Sequence, residues 1–374
     1  MHATLKTHIS VGCDSNSFHQ LHDASYLVVP HNARSCATVS RVFVESKRAV
    51  VTPVSANATK NLRHQVFRRM AITKPSITSR RNVVVASAEK SDEDTNLLVV
   101  GPGVLGSLVG SKWLQKFPSA RVVGQTNTDS KHAELVKMGF HPRLKAEAGG
   151  DQFANVIFCA PPSGSDDYTA EIAAAAESWS GRGAFVFTSS SAVYPEQQGV
   201  VYTEDSEVVA RGASERVDRL LDAENVVLSR GGSVVRLAGL YHAGRGAHTY
   251  YLKMGQVPVN GSALLNLIHY QDAASLCVAA LASGGKGEVF MGCDNNPLSK
   301  ADMMQSVLAS KKYGEKEVTF TGTGGPMGRI MSNNTTRAKL SWQPQYASFQ
   351  EFMVEYAAGN TPYDNYMQGS DHVA

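Results

Sequence analysis

Three glycines with the spacing G-x-G-x-x-G, Gly101, Gly103 and Gly106, lie between a short apolar run and a helical one. That spacing suits a dinucleotide. The first glycine permits a tight turn, the second leaves no side chain between backbone and pyrophosphate, and the third lets helix and strand pack closely. The amides of Val104 and Leu105 at the helix start then face the phosphates, where the helix dipole favours an anion by roughly 0.3–1 kcal/mol. A second group is Ser189 and Ser190 at the end of a later apolar run, with Tyr194 four residues beyond Ser190. A hydroxyl there can hydrogen-bond a reacting carbonyl or alcohol oxygen, and a phenol can exchange a proton; capping explains a serine-rich turn as well. Arg236 and Arg245 offer planar forks to carboxylate or phosphate, although a buried ion pair is the other reading of Arg236. His269 either contacts substrate or is a satisfied structural imidazole. No H-E-x-x-H or metal quartet occurs, and the loop Gly322–Gly328 (GTGGPMG), which reads as mobile, lacks the lysine of a nucleoside-triphosphate loop, so neither metal nor triphosphate chemistry is expected.

The elements that must position these residues alternate between strand and helix. Asn96–Val100 reads as a buried strand and Val104–Phe117 as a helix with apolar residues near helical spacing. Ala120–Gly124 and Val156–Cys159 read as strands, Thr128–Met138 and Tyr168–Trp179 as helices, and Ala184–Thr188 as the strand that runs into the serines. Ala160, Pro161 and Pro162 stop their strand at the sheet's carboxyl edge, where ligands bind in open α/β sheets, so they are expected to line the cofactor. After the second strand come Gln125, Thr126 and Asn127, without the acid that would hold a free ribose hydroxyl. Thr126, Asn127 and Lys131 can donate to a 2′-phosphate, which favours NADP over NAD. Asp272 is expected to cap the helix Ala273–Ser283.

Charge divides the 374-residue chain unevenly. Residues 1–85 hold twelve Lys or Arg and three acids, leaving 24 basic and 30 acidic residues in the remainder. A basic face for nucleic acid is therefore not expected of the folded part. The front segment, residues 1–88, is rich in Ser, Thr, Ala and Arg and has no sustained period. It reads as a transit peptide, with the chloroplast stroma as destination and the mitochondrion, then a disordered nucleic-acid-binding arm, as alternatives. No stretch approaches the roughly 20 apolar residues of a membrane span. Cys159, Cys277 and Cys293 read as small buried hydrophobes.

The glycine turn, SSSAVYP at Ser189–Pro195, VVRLAGLYHAGRG at Val234–Gly246 and LNLIHYQDAA at Leu265–Ala274 together resemble the short-chain dehydrogenase/reductase superfamily. More narrowly they are similar to the NAD-dependent epimerase/dehydratase-like proteins. GEVFMGCDNNPLSKADM at Gly287–Met303 and the stretch Asn333–Tyr346, with Leu340, Trp342 and Pro344, continue the resemblance. It implies a Rossmann-type doubly wound parallel sheet over residues 95–374, with a small C-terminal substrate lobe from about 241–265 and 294–374. It also implies that Ser190 hydrogen-bonds the reacting oxygen and that Tyr194 packs near sugar or nicotinamide.

The resemblance breaks at the family's Tyr-x-x-x-Lys pair. Matching Gly212 and Ser214 to Y-G-x-S-K puts Arg211 at the tyrosine and Glu215 at the lysine, while placing Arg216 at the lysine leaves Gly212 for the tyrosine. Neither register supplies a phenol, and a glutamate raises a neighbouring acid's pKa. The expected function is a plastid NAD(P)-dependent oxidoreductase or isomerase acting on a small polar metabolite. The alternative is a catalytically inactive dinucleotide-binding protein of regulation or assembly.

Overall fold

Short β-branched and aromatic runs bounded by glycine, proline or polar residues cannot reach helical length, and here they become strands. The computed structural model of the chain describes residues 92–367. Residues 1–88, which the sequence leads one to expect as a transit peptide, lie outside the described residues. Seven strands form one parallel sheet: β1 (Leu97–Val100), β2 (Val122–Thr126), β3 (His141–Leu144), β4 (Asn155–Phe158), β5 (Phe185–Ser190), β6 (Ser233–Leu237) and β7 (Val289–Gly292). Their spatial order is β7-β6-β5-β4-β1-β2-β3. The direction of winding reverses between β1 and β4, where Leu97 lies beside Asn155 and Val100 beside Phe158. A crevice for ligands opens at such a reversal, outside the carboxyl ends of the strands.

Successive side chains of a strand point to opposite faces, so β1 feeds two cores. Leu97 and Val99 join Val109 and Trp113 of α1 (Val104–Lys116) on one face, and Leu98 and Val100 join the other. That second face also takes Ile172 of α3 (Tyr168–Glu177) and Ala223 and Val227 of α4 (Glu215–Ser229), while α2 (His132–Lys137) follows β2. α5 (Tyr270–Ser283) packs beside α1 on the first face. Each fully buried aliphatic side chain contributes about 1.5–3 kcal/mol, so the continuously apolar strands specify burial on both faces. Residues between Tyr241 and Leu267 and between Leu298 and Tyr356 form a third, smaller hydrophobic cluster. Among the described residues no helix is long and apolar enough to cross a membrane.

Two local expectations change. Asp272 does not cap its own helix: α5 begins at Tyr270, and His269 accepts the Gln271 amide at 3.2 Å as its N-cap. The Asp272 carboxylate instead accepts the amides of Gln345 and Tyr346, at 2.6 and 3.1 Å, and so ties the last third of the chain to α5. The loop Gly322–Gly328, expected to be mobile, is pinned by the Leu264 amide donating to the Met327 carbonyl at 2.9 Å.

Candidate functional site

Backbone geometry at the glycine turn accounts for each glycine separately. Gly101 has φ +78°, and a Cβ there would lie 2.6 Å from the Ala160 nitrogen. A Cβ on Gly106 would lie 2.5 Å from the Gly101 carbonyl oxygen. Gly103 differs: its φ is −75° and an added Cβ meets nothing within 4 Å. Gly101 and Gly106 thus build the turn, whereas Gly103 leaves an opening in front of it. Gly103 is the N-cap of α1 and supplies no side-chain cap, so the helix start faces that opening.

The opening belongs to two cavities, of about 490 and about 680 Å³, which share Gly101, Gly103, Lys131, Ala160 and Pro161. The first runs to the end of β2, where Thr126 and Asn127 lie with Thr128 and Ser130. Thr126 Oγ1 is 2.8 Å from His132 Nε2. The carboxylate in this wall is Glu171, which pairs with Lys145 at 2.9 Å. The second cavity takes Val104, Leu105 and Gly106 on one side and Pro162 and Ser190 on the other. Its charged lining residues are Lys131, Arg216, Arg245 and Arg329, with no carboxylate among them. A cleft so charged receives an anion.

Ser190 ends β5 and its Oγ accepts the Ala192 amide at 3.2 Å. A hydroxyl has one hydrogen to donate besides its lone pairs, so the Ser190 O–H can still bond an oxygen in the cleft. Its neighbour takes a different course. Ser189 also lines the cleft, but it is buried and its Oγ donates to Glu224 Oε1 at 2.5 Å, so its hydroxyl hydrogen is spent in the interior. Glu224 also receives Arg236, through Nε at 3.1 Å and Nη2 at 2.7 Å, with both residues buried. Arg236 is therefore the structural ion pair and not a substrate ligand.

Tyr194 completes this network. Its hydroxyl accepts from Arg236 Nη1 at 2.8 Å and its ring packs against Tyr202, with none of the residue exposed. Burial pushes the phenol above its ordinary range, partly countered by the Arg236 charge. The expected acid/base role is corrected by that geometry, since Tyr194 does not line the cleft. His269 is corrected as well: 1% exposed, it sits 3.3 Å from Asp364 Oδ2 among Tyr241, Tyr346 and Phe352. Arg245, in the turn closed by bonds between His242 and Arg245, does line the cleft.

The helix that should carry the tyrosine and lysine starts late. Ser214 caps α4 by accepting the Val217 amide at 3.2 Å, which leaves Arg211 and Gly212 in the turn before it. Arg216, in the first turn of α4, reaches the cleft. The phenols that do line it are Tyr168, whose hydroxyl donates to the Ala160 carbonyl at 2.8 Å, and Tyr270. Burial pushes the Cys159 thiol beside them up to about 12, so it is no nucleophile at neutral pH. Arg329 and Ser191 also reach the cleft; sequence reasoning missed Arg329 because no local motif marks a residue brought in from so far along the chain.

No family model and no curated protein matches the chain. Solved structures do match. A conserved protein of unknown function from Silicibacter pomeroyi is 21% identical, with 71% of this chain and 98% of that one covered and a TM-score of 0.59. A UDP-glucuronic acid 4-epimerase from Bacillus cereus, solved with UDP-glucuronic acid and NAD, is 16% identical over 71% and 99% of the two chains, with a TM-score of 0.57. A human epimerase family protein solved with NADPH is 16% identical over 70% and 99%, with a TM-score of 0.56. The chain shares the Rossmann-type α/β fold of these structures. At these identities the likeness concerns the fold.

Proposed function

We propose that this protein binds NADP(H) across the β1–α1 turn and acts as an oxidoreductase or isomerase of the epimerase/dehydratase type on a small anionic metabolite beside Ser190. The carrying observation is the opening in front of Gly103, framed by two glycines at which an added Cβ would press on backbone, and continuous with a cleft whose charged side chains are cationic. Gly101, Gly103 and Gly106 with the Val104 and Leu105 amides would hold the pyrophosphate. Thr126, Asn127, Thr128, Ser130 and Lys131 would take the adenosine side, and the lack of an acid at the end of β2 supports the 2′-phosphorylated form. Solved structures of this fold carry NAD or NADPH, in agreement with this reading. When bound, such a cofactor supplies hydride transfer; the chain's own part is to orient the reacting oxygen through Ser190 and to balance negative charge through Arg216 and Arg245. Residues 1–88 would deliver the protein to the chloroplast.

NADPH fluorescence titration tests the cofactor, with Gly103→Asp expected to weaken binding at least about tenfold and leave the fold intact. Cofactor oxidation across carbonyl metabolites then tests turnover, which Ser190→Ala should reduce. A fluorescent fusion of residues 1–88 tests the destination. One observation favours a second reading, a dinucleotide-binding protein without turnover: α4 presents no phenol to the cleft. NADPH binding with no oxidation of any substrate would select it.

A further inference from the structure

Beyond the cofactor cleft lies a third cavity, of about 250 Å³, that shares Ser191, Gly239, Leu240 and Arg329 with it. Its wall is built late in the chain. Gly328, at φ +83°, packs so close to Leu264 that a Cβ would lie 2.2 Å from the Leu264 carbonyl oxygen, and the Lys300 amide donates to the Ala263 carbonyl at 3.1 Å. The chamber is thus preformed by backbone contacts. Leu240, Leu264, Leu265, Leu267 and Pro326 give it an apolar lining. Its charged groups are Glu196, Lys300 and Arg329. Glu196 pairs with Arg329 Nη1 at 3.1 Å, and Arg329 Nε donates to the Tyr194 carbonyl at 2.8 Å. The pair leaves one positive charge, that of Lys300, in excess. Burial lowers the Lys300 pKa, with Glu196 opposing, and an anion beside it would favour the charged form further.

We propose that this chamber binds the substrate's non-reacting end, and that this end is a short apolar chain carrying one negative charge, a carboxylate seated on Lys300. The inference rests on the dinucleotide reading of the adjoining cleft. Size decides against a nucleoside diphosphate sugar, because the volume falls below the roughly 300–1,000 Å³ typical of sites that enclose drug-sized ligands. Charge agrees: one surplus cation neutralises one anion, and a diphosphate would leave negative charge buried beside Glu196. The opening at Ser191 and Arg329 lets the other end of such a molecule project towards Ser190.

Calorimetric titration of the full chain with hexanoate, hexylamine and UDP-glucose, with and without saturating NADPH, tests this. Hexanoate should bind, hexylamine should not, and UDP-glucose should bind no tighter than hexanoate. Lys300→Met should weaken hexanoate roughly tenfold or more, the usual cost of losing a charge-assisted hydrogen bond. Lys300→Arg should retain it within a few-fold, and all three proteins should bind NADPH alike. Hexanoate binding unchanged in Lys300→Met, absent from the wild type, or weaker than hexylamine or UDP-glucose overturns the proposal. Failure to bind NADPH overturns the cofactor reading instead, and the titration without NADPH still decides the chamber.

Discussion

The β1–α1 turn and the segment from β5 to α4 face each other across one cleft, yet they use their residues in opposite ways. At the turn, the backbone does the work and side chains are excluded: Gly101 and Gly106 have no room for a Cβ, and Gly103 leaves open space. In the segment from β5 to α4, side chains that could have served the cleft turn inward. Ser189 and Tyr194 meet Arg236 of β6 on or around Glu224, while Ser190 keeps a hydroxyl hydrogen for the cleft. The difference teaches that an opening built by backbone needs only room for its turn, whereas side chains at the same cleft can be drawn away by buried partners. The inward network still has a use, since it clamps α4 to the strands that end at the cleft.

The largest test of that contrast is Glu224→Ala. It leaves the Arg236 charge buried without its partner and should cost about 3–5 kcal/mol in chemical denaturation, whereas replacing Glu224 and Arg236 together by methionine should recover most of it. A small loss in the single variant would mean that the network is not the clamp described. Gly101→Ala comes next. Backbone strain alone costs about 1–3 kcal/mol, with the approach to Ala160 added, so its thermal midpoint should fall and NADPH binding should fall with it.

Gly103→Asp separates binding from folding. Its stability should stay within about 0.5 kcal/mol of wild type, because nothing occupies the space its side chain enters. NADPH affinity should drop by at least about tenfold, the equivalent of about 1.4 kcal/mol, by repulsion of the pyrophosphate. Retained affinity would remove the pyrophosphate from this turn. The smallest effect is expected of Tyr194→Phe, which removes one hydrogen bond to Arg236 and should cost about 1–2 kcal/mol of stability. Activity per folded molecule should be unchanged, and a large loss of turnover with stability retained would return Tyr194 to the chemistry.

Much of this was readable in the residues. Runs such as Leu97–Val100 and Phe185–Ser190 are continuously apolar at their start because the parallel sheet is covered on both faces, so their strands could be placed. The glycine turn and the proline stop at Pro161 and Pro162 were equally local. Ser189 and Ser190 could not be told apart by type or context. They are adjacent in one strand, and alternation sends their side chains to opposite sides, one to Glu224 and the other to the cleft. Asp272 was misplaced for a related reason, because its partners, the amides of Gln345 and Tyr346, lie more than 70 residues away.

The sequence by itself determined the alternating α/β order, the turn at Gly101–Gly106 and the absence of a phenol in either register of the family's catalytic pair, because each depends on neighbours within one element. Only the tertiary structure decided that Tyr194, Arg236 and His269 are interior groups, that Arg216 and Arg329 join Arg245 at the cleft, and that Lys300 lies in a small apolar chamber beside them. Burial and charge pairing are properties of surroundings, and those surroundings are assembled from distant segments, as where Arg329 bonds the Tyr194 carbonyl 135 residues away.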